Sequence, residues 1–338
     1  MSVNVFADLH HDDLYYSFHL LFEKALGWKL YRPIGFDWAE NGFWKYSENP
    51  NVIKQYLQFV GNESLEDGYY SAFETKHDYY HKAITLEQFK EMPIDIVIAS
   101  VYQHELPFAD LIKKYKPKAK LIRQAGNVFD IVNFSICKNI MAAQSPKSFF
   151  CPPEINVVFY HPMFDTDLFT IRPPKSFNKI TNMMNCYPDS PDFKWWGIFK
   201  ELLPEFEWKM YGILGEDGML GTIWKIAKAY EDTTFSWHLK HQGDGYGFSL
   251  HHSFACGKPP IVIKKYYKDK LAEELMIDGK TCIVMDGKFP DLLAEEIRHH
   301  ALPENYLKIS RNTYERFKEI VDFEKEIEQI KTFLERLI

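Results

Sequence analysis

Asp244-Gly-Tyr-Gly-Phe-Ser-Leu-His-His-Ser-Phe-Ala-Cys-Gly-Lys-Pro259 is the stretch on which the reading of this chain turns. Gly245 and Gly247 bracket Tyr246, a short helical pattern begins at Phe248, and Pro259 opens an apolar run to Ile263. Such a loop lets a ligand press against bare backbone, and the helix start behind it offers amides to an anion. Gly257 is expected in the left-handed conformation that ends a helix, and Pro259 forbids continuation. Taken alone, the two loop glycines could equally serve a tight turn with no ligand.

Working outward, strands alternate with helices on both sides of this segment. Val3 to Phe6 reads as a buried strand, Leu14 to Leu26 as a helix stopped by Gly27, and Ile94 to Ala99 as a second strand. Leu106 to Tyr115 reads as a helix and Lys120 to Arg123 as a strand. The rhythm returns with strands at Lys179 to Met184, Glu207 to Tyr211 and Thr234 to Leu239, separated by helical patterns at Trp195 to Leu203 and Gly218 to Tyr230. This alternation predicts doubly wound parallel sheets. Arg172-Pro-Pro-Lys-Ser176 has the composition of a linker between two domains. Residues 30 to 85 are irregular and aromatic-rich, and are expected to include an insertion or lid. From Ser310 to Leu337, apolar residues recur at helical spacing.

Composition sets bounds. The 338 residues suit two domains; 46% are apolar and 26% charged, as in a water-soluble globular protein. A net charge of −7 gives no general attraction to nucleic acid or anionic membranes. No apolar run is long enough for a membrane span, and the N-terminus has no secretory pattern. Cys137, Cys151, Cys186, Cys256 and Cys282 are scattered, with no C-x-x-C pair, which argues against a disulfide framework or zinc site and for a cytoplasmic address. Lys264, Lys265, Lys268 and Lys270 cluster with Tyr266 and Tyr267, a pattern read first as a solvated helix start.

Four segments, in order, resemble the GT-B glycosyltransferases, in particular the large retaining family 4 with its E-G-F-G…E-A-x-A-C-G-x-P signature. They are Val157 to Phe169, Lys194 within Asp192-Phe-Lys-Trp-Trp-Gly197, the segment quoted first, and Leu275 to Asp286. The resemblance covers roughly the last 180 residues; the earlier part matches only in rhythm. It implies an α/β GT-B fold: two Rossmann-like domains, 1–171 on the acceptor side and 176–309 on the donor side, facing an interdomain cleft. A C-terminal helix, 310–338, would return to the first domain.

The resemblance also implies transfer of a sugar from a nucleotide-sugar co-substrate, a UDP- or GDP-sugar, with retention and without a metal or other cofactor. Lys194 would neutralise the donor diphosphate, and Asp244 would hold the transferring sugar. Gly245, Tyr246, Gly247, Phe248 and Gly212 would line the donor site. His252 replaces the family's second carboxylate, which grips the ribose, and an imidazole offers only one accepting nitrogen. The family's Arg ahead of the Lys is also missing; Asn185, Tyr187 and Asp189 stand in that stretch. On the acceptor side, His10, His11, Asp12 and Asp13 follow the first strand, where open sheets place ligands. His11 or Asp12 is a candidate base, while either aspartate could simply cap a helix. Asn127 and, more loosely, His104 are expected near the same end.

The acceptor is read as a glycan or lipid-linked precursor, or else a hydroxymethylated DNA base. Two other readings stand beside these. Asp165-Thr-Asp167 has the D-x-D form of metal-dependent glycosyltransferases, and the departures at His252 and the missing Arg fit a nucleotide-sugar-binding protein without turnover.

Overall fold

Strand β1, Asn4–Asp8, carries Val5, Phe6 and Ala7 with no exposure at all, the burial expected of a strand covered on both faces. The computed structural model describes residues 3–9, 12–33, 82–84, 86–220 and 222–338. His10, His11, the side chain of Asp12 and most of the aromatic-rich stretch from 30 to 85 lie outside the described residues.

The chain divides into two units: Met1–Phe164 together with Phe323–Ile338, and Asp165–Asp322. In the first, β1 is joined by β2 (Lys29–Pro33), β3 (Lys82–Ile84), β4 (Ile96–Ala99), β5 (Lys120–Ala125), β6 (Asn139–Ala142) and β7 (Asn156–Phe159). Their order is β3-β2-β1-β4-β5-β6-β7, with every pair parallel. The topological switch therefore falls between β1 and β4, where Asp8 lies opposite Ala99. Phe6 packs edge-on against Phe89 and Phe108, 5.1 and 5.9 Å between ring centroids, which seats helices α2 (Leu86–Glu91) and α3 (Tyr102–Tyr115) on one face.

In the second unit, β8 (Lys179–Asn182), β9 (Glu207–Met210), β10 (Phe235–His238), β11 (Pro260–Val262) and β12 (Ile283–Val284) form a parallel sheet of order β12-β11-β10-β8-β9. Its core is built on tryptophans: Trp196 meets Trp208 at 4.8 Å and Trp237 at 5.9 Å.

Several elements begin or end elsewhere than the pattern indicates. Helix α1 opens at Asp12 and runs to Phe18, then continues as a π-helical segment, His19–Ala25, before Gly27 at φ +67°. Helix α3 starts at Tyr102 rather than Leu106 and carries Pro107 inside it. The helix expected from Gly218 instead opens at Ile223 (α5, Ile223–Asp232), because Thr222 caps it by accepting from the Lys225 amide. The single C-terminal helix expected from Ser310 is two: α8, Pro303–Ile320, and α9, Phe323–Glu335. Tyr306 and Ile309 anchor α8 in the core of the second unit, so only the chain beyond Asp322 belongs to the first. Likewise the division falls after Phe164, ahead of the Pro-rich stretch at Arg172, so the observed units differ from the expected bounds at 171, 176 and 310. In the first unit the His161 backbone amide donates to Glu326 Oε2 of α9 at 2.6 Å, and the His161 ring Nδ1 lies 2.7 Å from Glu326 Oε1.

Candidate functional site

β10 ends at His238, and the chain then turns through Leu239–Gly247 into α6, Phe248–Ala255. This loop is held tightly. Gly243, at φ +67°, lies so close to the Tyr266 carbonyl that a Cβ would meet it at 2.5 Å. The Lys270 ammonium bonds that same carbonyl at 2.5 Å and also the carbonyl of Gln242. Lys264 likewise donates to the Met276 carbonyl at 2.8 Å. Two of the clustered lysines thus brace backbone rather than forming a solvated helix start.

Gly247 precedes α6 at φ +79°, and a Cβ there would come within 3.1 Å of Asp244 Oδ2. The glycine is what lets the Asp244 carboxylate fold over the start of the helix, whose first amides have no intrahelical acceptor. Gly257 stands at φ +61° beyond the helix, with Ile171 Cγ1 at 2.9 Å from where a Cβ would be, as its expected left-handed role requires. Tyr246 turns inward, stacked on His251 at 3.9 Å, so the loop presents backbone rather than the tyrosine ring. Phe248 packs edge-on to Tyr246 at 5.0 Å. Gly245 is buried beside them.

The Asp244 side chain is 18% exposed. Burial works against its ionisation, but the His238 imidazole and the Lys240 ammonium outweigh it and hold the carboxyl down at about 2. His238 Nε2 lies 3.7 Å from Asp244 Oδ2, and Lys240 Nζ contacts Oδ1. Burial lowers the His238 pKa despite Asp244, which favours the neutral imidazole.

Lys194 is exposed at the first position of α4, Lys194–Leu202, with its ammonium 5.6 Å from the Trp195 ring centroid. Just ahead of it, buried Asp192 is bonded on one oxygen by His241 Nδ1 at 3.1 Å and on the other by Tyr266 OH at 3.3 Å. This one carboxylate ties three segments together: the start of α4, the loop after β10, and the turn after β11. Lys194 is thereby brought to the same end of the sheet as Asp244. Gly212, after β9, adopts φ +116° with the Met184 carbonyl 2.9 Å from where a Cβ would sit. That closes the loops after β8 and β9 on each other.

His252 is placed differently from a solvent-facing ligand. It is 2% exposed and lies flat on Phe169, 3.8 Å between centroids and 8° from parallel. Burial lowers its pKa to about 3.

In the first unit, Asp13 lies partly buried in α1. Asn127 follows β5; its amide bonds Asp130 Oδ2 at 2.8 Å, and its carbonyl accepts Gln144 Nε2 at 2.7 Å. At the β1/β4 switch the structure pairs Asp8 Oδ2 with His104 Nδ1, both side chains well buried. Beside them, Arg123 and Glu105, each 1% exposed, form an ion pair at 3.0 Å, with Asp130 at 3.5 Å from the guanidinium. Glu105 also accepts the Asn133 amide at 2.9 Å, so the pair braces the loop that carries Asn127.

Sequence reading passed over His238, Lys240, Asp192, Asp8, Glu105 and Arg123 as site residues. The available signal was polar or charged residues at the ends of apolar strands. Asp165, of the D-x-D stretch, accepts the amides of Asp167 and Leu168 at 2.9 and 3.2 Å and so caps its own turn. Among the described residues no group of three or more His, Cys, Asp or Glu is arranged to hold a metal. No described helix is long and apolar enough to cross a membrane.

No protein-family profile and no curated protein matches the sequence. Solved structures do match in shape. HepE of Anabaena, in complex with UDP-glucose, superposes with a TM-score of 0.66 at 12% identity, over 99% of this chain and 100% of that one. A glycosyltransferase of Rickettsia africae gives 0.64 at 14% identity, over 99% and 98%. MurG of Acinetobacter baumannii gives 0.50 at 10% identity, over 99% of each chain. With two all-parallel α/β units and full-length likeness to these solved structures, the chain has the GT-B fold.

Proposed function

We propose that this protein is a glycosyltransferase that moves a sugar from a nucleotide-sugar donor to an acceptor hydroxyl, with the donor seated at the carboxyl end of the second unit's sheet. The observation that carries this reading is the convergence there of an ionised, largely buried Asp244, the start of α6 behind Gly247, and the exposed Lys194. Asp192 ties their supporting segments together through His241 and Tyr266. HepE, which shares the fold, was solved with UDP-glucose. This favours a UDP-sugar over a GDP-sugar as the first donor to try.

Sugar transfer needs charge compensation on the leaving diphosphate and stabilisation of a cationic anomeric centre. The Lys194 ammonium and the first-turn amides of α6 supply the former. Asp244 accepts hydrogen bonds from sugar hydroxyls, and its negative charge favours the oxocarbenium-like carbon. We assign retention of configuration, with the leaving phosphate taking the acceptor proton, and no requirement for a divalent ion. The acceptor is a hydroxyl on a glycan or lipid-linked precursor, bound at the end of the first sheet where Asp8 and His104 lie. The net charge of −7 argues against the DNA reading.

The test is incubation of purified protein with UDP-glucose and GDP-sugars, with and without EDTA, following nucleotide release. Release from one donor that survives EDTA and disappears in Lys194→Ala supports the proposal. Binding without any turnover would favour a non-catalytic nucleotide-sugar-binding protein.

A further inference from the structure

Asp244 has two partners of opposite character. His238 is buried, and its Nε2 has no hydrogen-bond partner among the described residues, although Asp244 Oδ2 stands 3.7 Å away. Lys240 is 49% exposed and contacts the other oxygen, Oδ1. A buried imidazole at the end of a central strand is fixed. A half-exposed lysine on a flexible stem is not, and its ion pair is of the weak surface kind. The remaining basic groups close by are already committed or stand apart: Lys270 bonds the carbonyls of Gln242 and Tyr266, and Lys194 opens α4.

A donor diphosphate carries more than one negative charge, and Lys194 alone supplies one positive charge. Asn185, Tyr187 and Asp189, in the stretch ahead of it, supply none. Asp244 meanwhile lies against Gly247, at the start of α6, so the ammonium paired to it stands beside the proposed anion position.

We infer that Lys240 is a second diphosphate ligand, exchanging Asp244 Oδ1 for the donor's terminal phosphate, while Oδ2 stays beside His238 and Oδ1 is left to a sugar hydroxyl. The inference rests on the donor reading above and gives it a specific device. Arrival of the diphosphate draws Lys240 away, and that withdrawal frees Asp244 for the sugar. Lys240 is then a binding residue, and His238 is a positioning residue that acts through Asp244.

Calorimetric titration of the whole protein with UDP, UMP and UDP-glucose tests this. Lys240→Ala is expected to weaken UDP about tenfold and leave UMP within about twofold, since only the terminal phosphate loses a charge-assisted contact. Asp244→Asn, which removes the competing carboxylate, is expected to bind UDP at least as tightly as wild type while losing the additional affinity for UDP-glucose. For His238, the Phe variant is expected to lose kcat for UDP-glucose cleavage with UDP affinity unchanged, and the Asn variant, which keeps a polar group facing Asp244, to recover part of it. Wild-type binding of UDP with Lys240→Ala unchanged, or with UDP and UMP weakened equally, would overturn the exchange. Wild type that binds no nucleotide would overturn the donor reading and the exchange with it.

Discussion

His252 and Phe169 are stacked face to face, 3.8 Å apart and nearly parallel, inside the second unit. The contact joins α6 to the segment that follows the Asp165 turn, so the imidazole works as a flat core side chain. His252→Ala removes the ring from a site that is 2% exposed and is expected to cost about 2–5 kcal/mol of stability. His252→Phe keeps the planar shape and is expected to cost less than about 1.5 kcal/mol. Urea denaturation measures both, and equal losses would show that the polar nitrogens, not the stack, dominate.

The same residue sets a pH dependence. Burial lowers the His252 pKa from 6.5 to about 3, so in that window the unfolded chain takes up a proton that the folded chain refuses. Stability therefore falls as pH drops below about 6.5, and His238, also lowered by burial, adds in the same direction. Unfolding free energies from about pH 7 to about pH 5 should decline, less steeply in His252→Phe. Identical slopes in the two proteins would contradict this assignment.

Asp244 contributes with the opposite kind of group. Its carboxyl sits at about 2 against an ordinary 3.8, so its ionised form stabilises the fold at all pH values above about 4. That contribution disappears as pH falls from 3.8 toward 2 and amounts to at most roughly 2 kcal/mol. The stability difference between wild type and Asp244→Asn should be constant from about pH 5 to about pH 8 and shrink only in stronger acid. A difference that changes near neutrality would point to another titrating group.

In the first unit, Glu105 and Arg123 are paired almost wholly out of solvent, and burial raises the former's pKa and lowers the latter's. Removing one partner leaves a buried charge uncompensated. Glu105→Ala should therefore destabilise by about 3–5 kcal/mol and speed hydrogen exchange at the Asn133 amide. The double variant Glu105→Leu/Arg123→Met should recover much of the loss. Failure to recover would mean that Asp130 and the loop contacts carry the stabilisation.

The sequence made the fold legible where a single local rule applies. Gly257 and Pro259 forecast the end of α6 correctly because only the backbone is at stake. The alternation of apolar strands and amphipathic helices announced the parallel sheets for the same reason. The helix break at Val321 and Asp322 was hidden, because neither Gly nor Pro marks it and the apolar spacing runs through. Candidate site residues divided along the same line. Gly247 and Lys194 could be placed from the loop and the helix start. His238 looked like one more strand residue, and its meaning depends on Asp244, six positions later, folding back over Gly247. Glu105 and Arg123 are 18 residues apart, on different elements, and no local pattern reports that they meet.

The most direct test of the donor site is UDP-glucose cleavage by wild type and Asp244→Asn, measured with UDP affinity on the same samples. The account predicts turnover in wild type, a loss of at least about a hundredfold in the variant, and UDP binding retained in both. UDP binding with equal turnover in the two proteins would contradict it, since Asp244 would then have no part in the transfer.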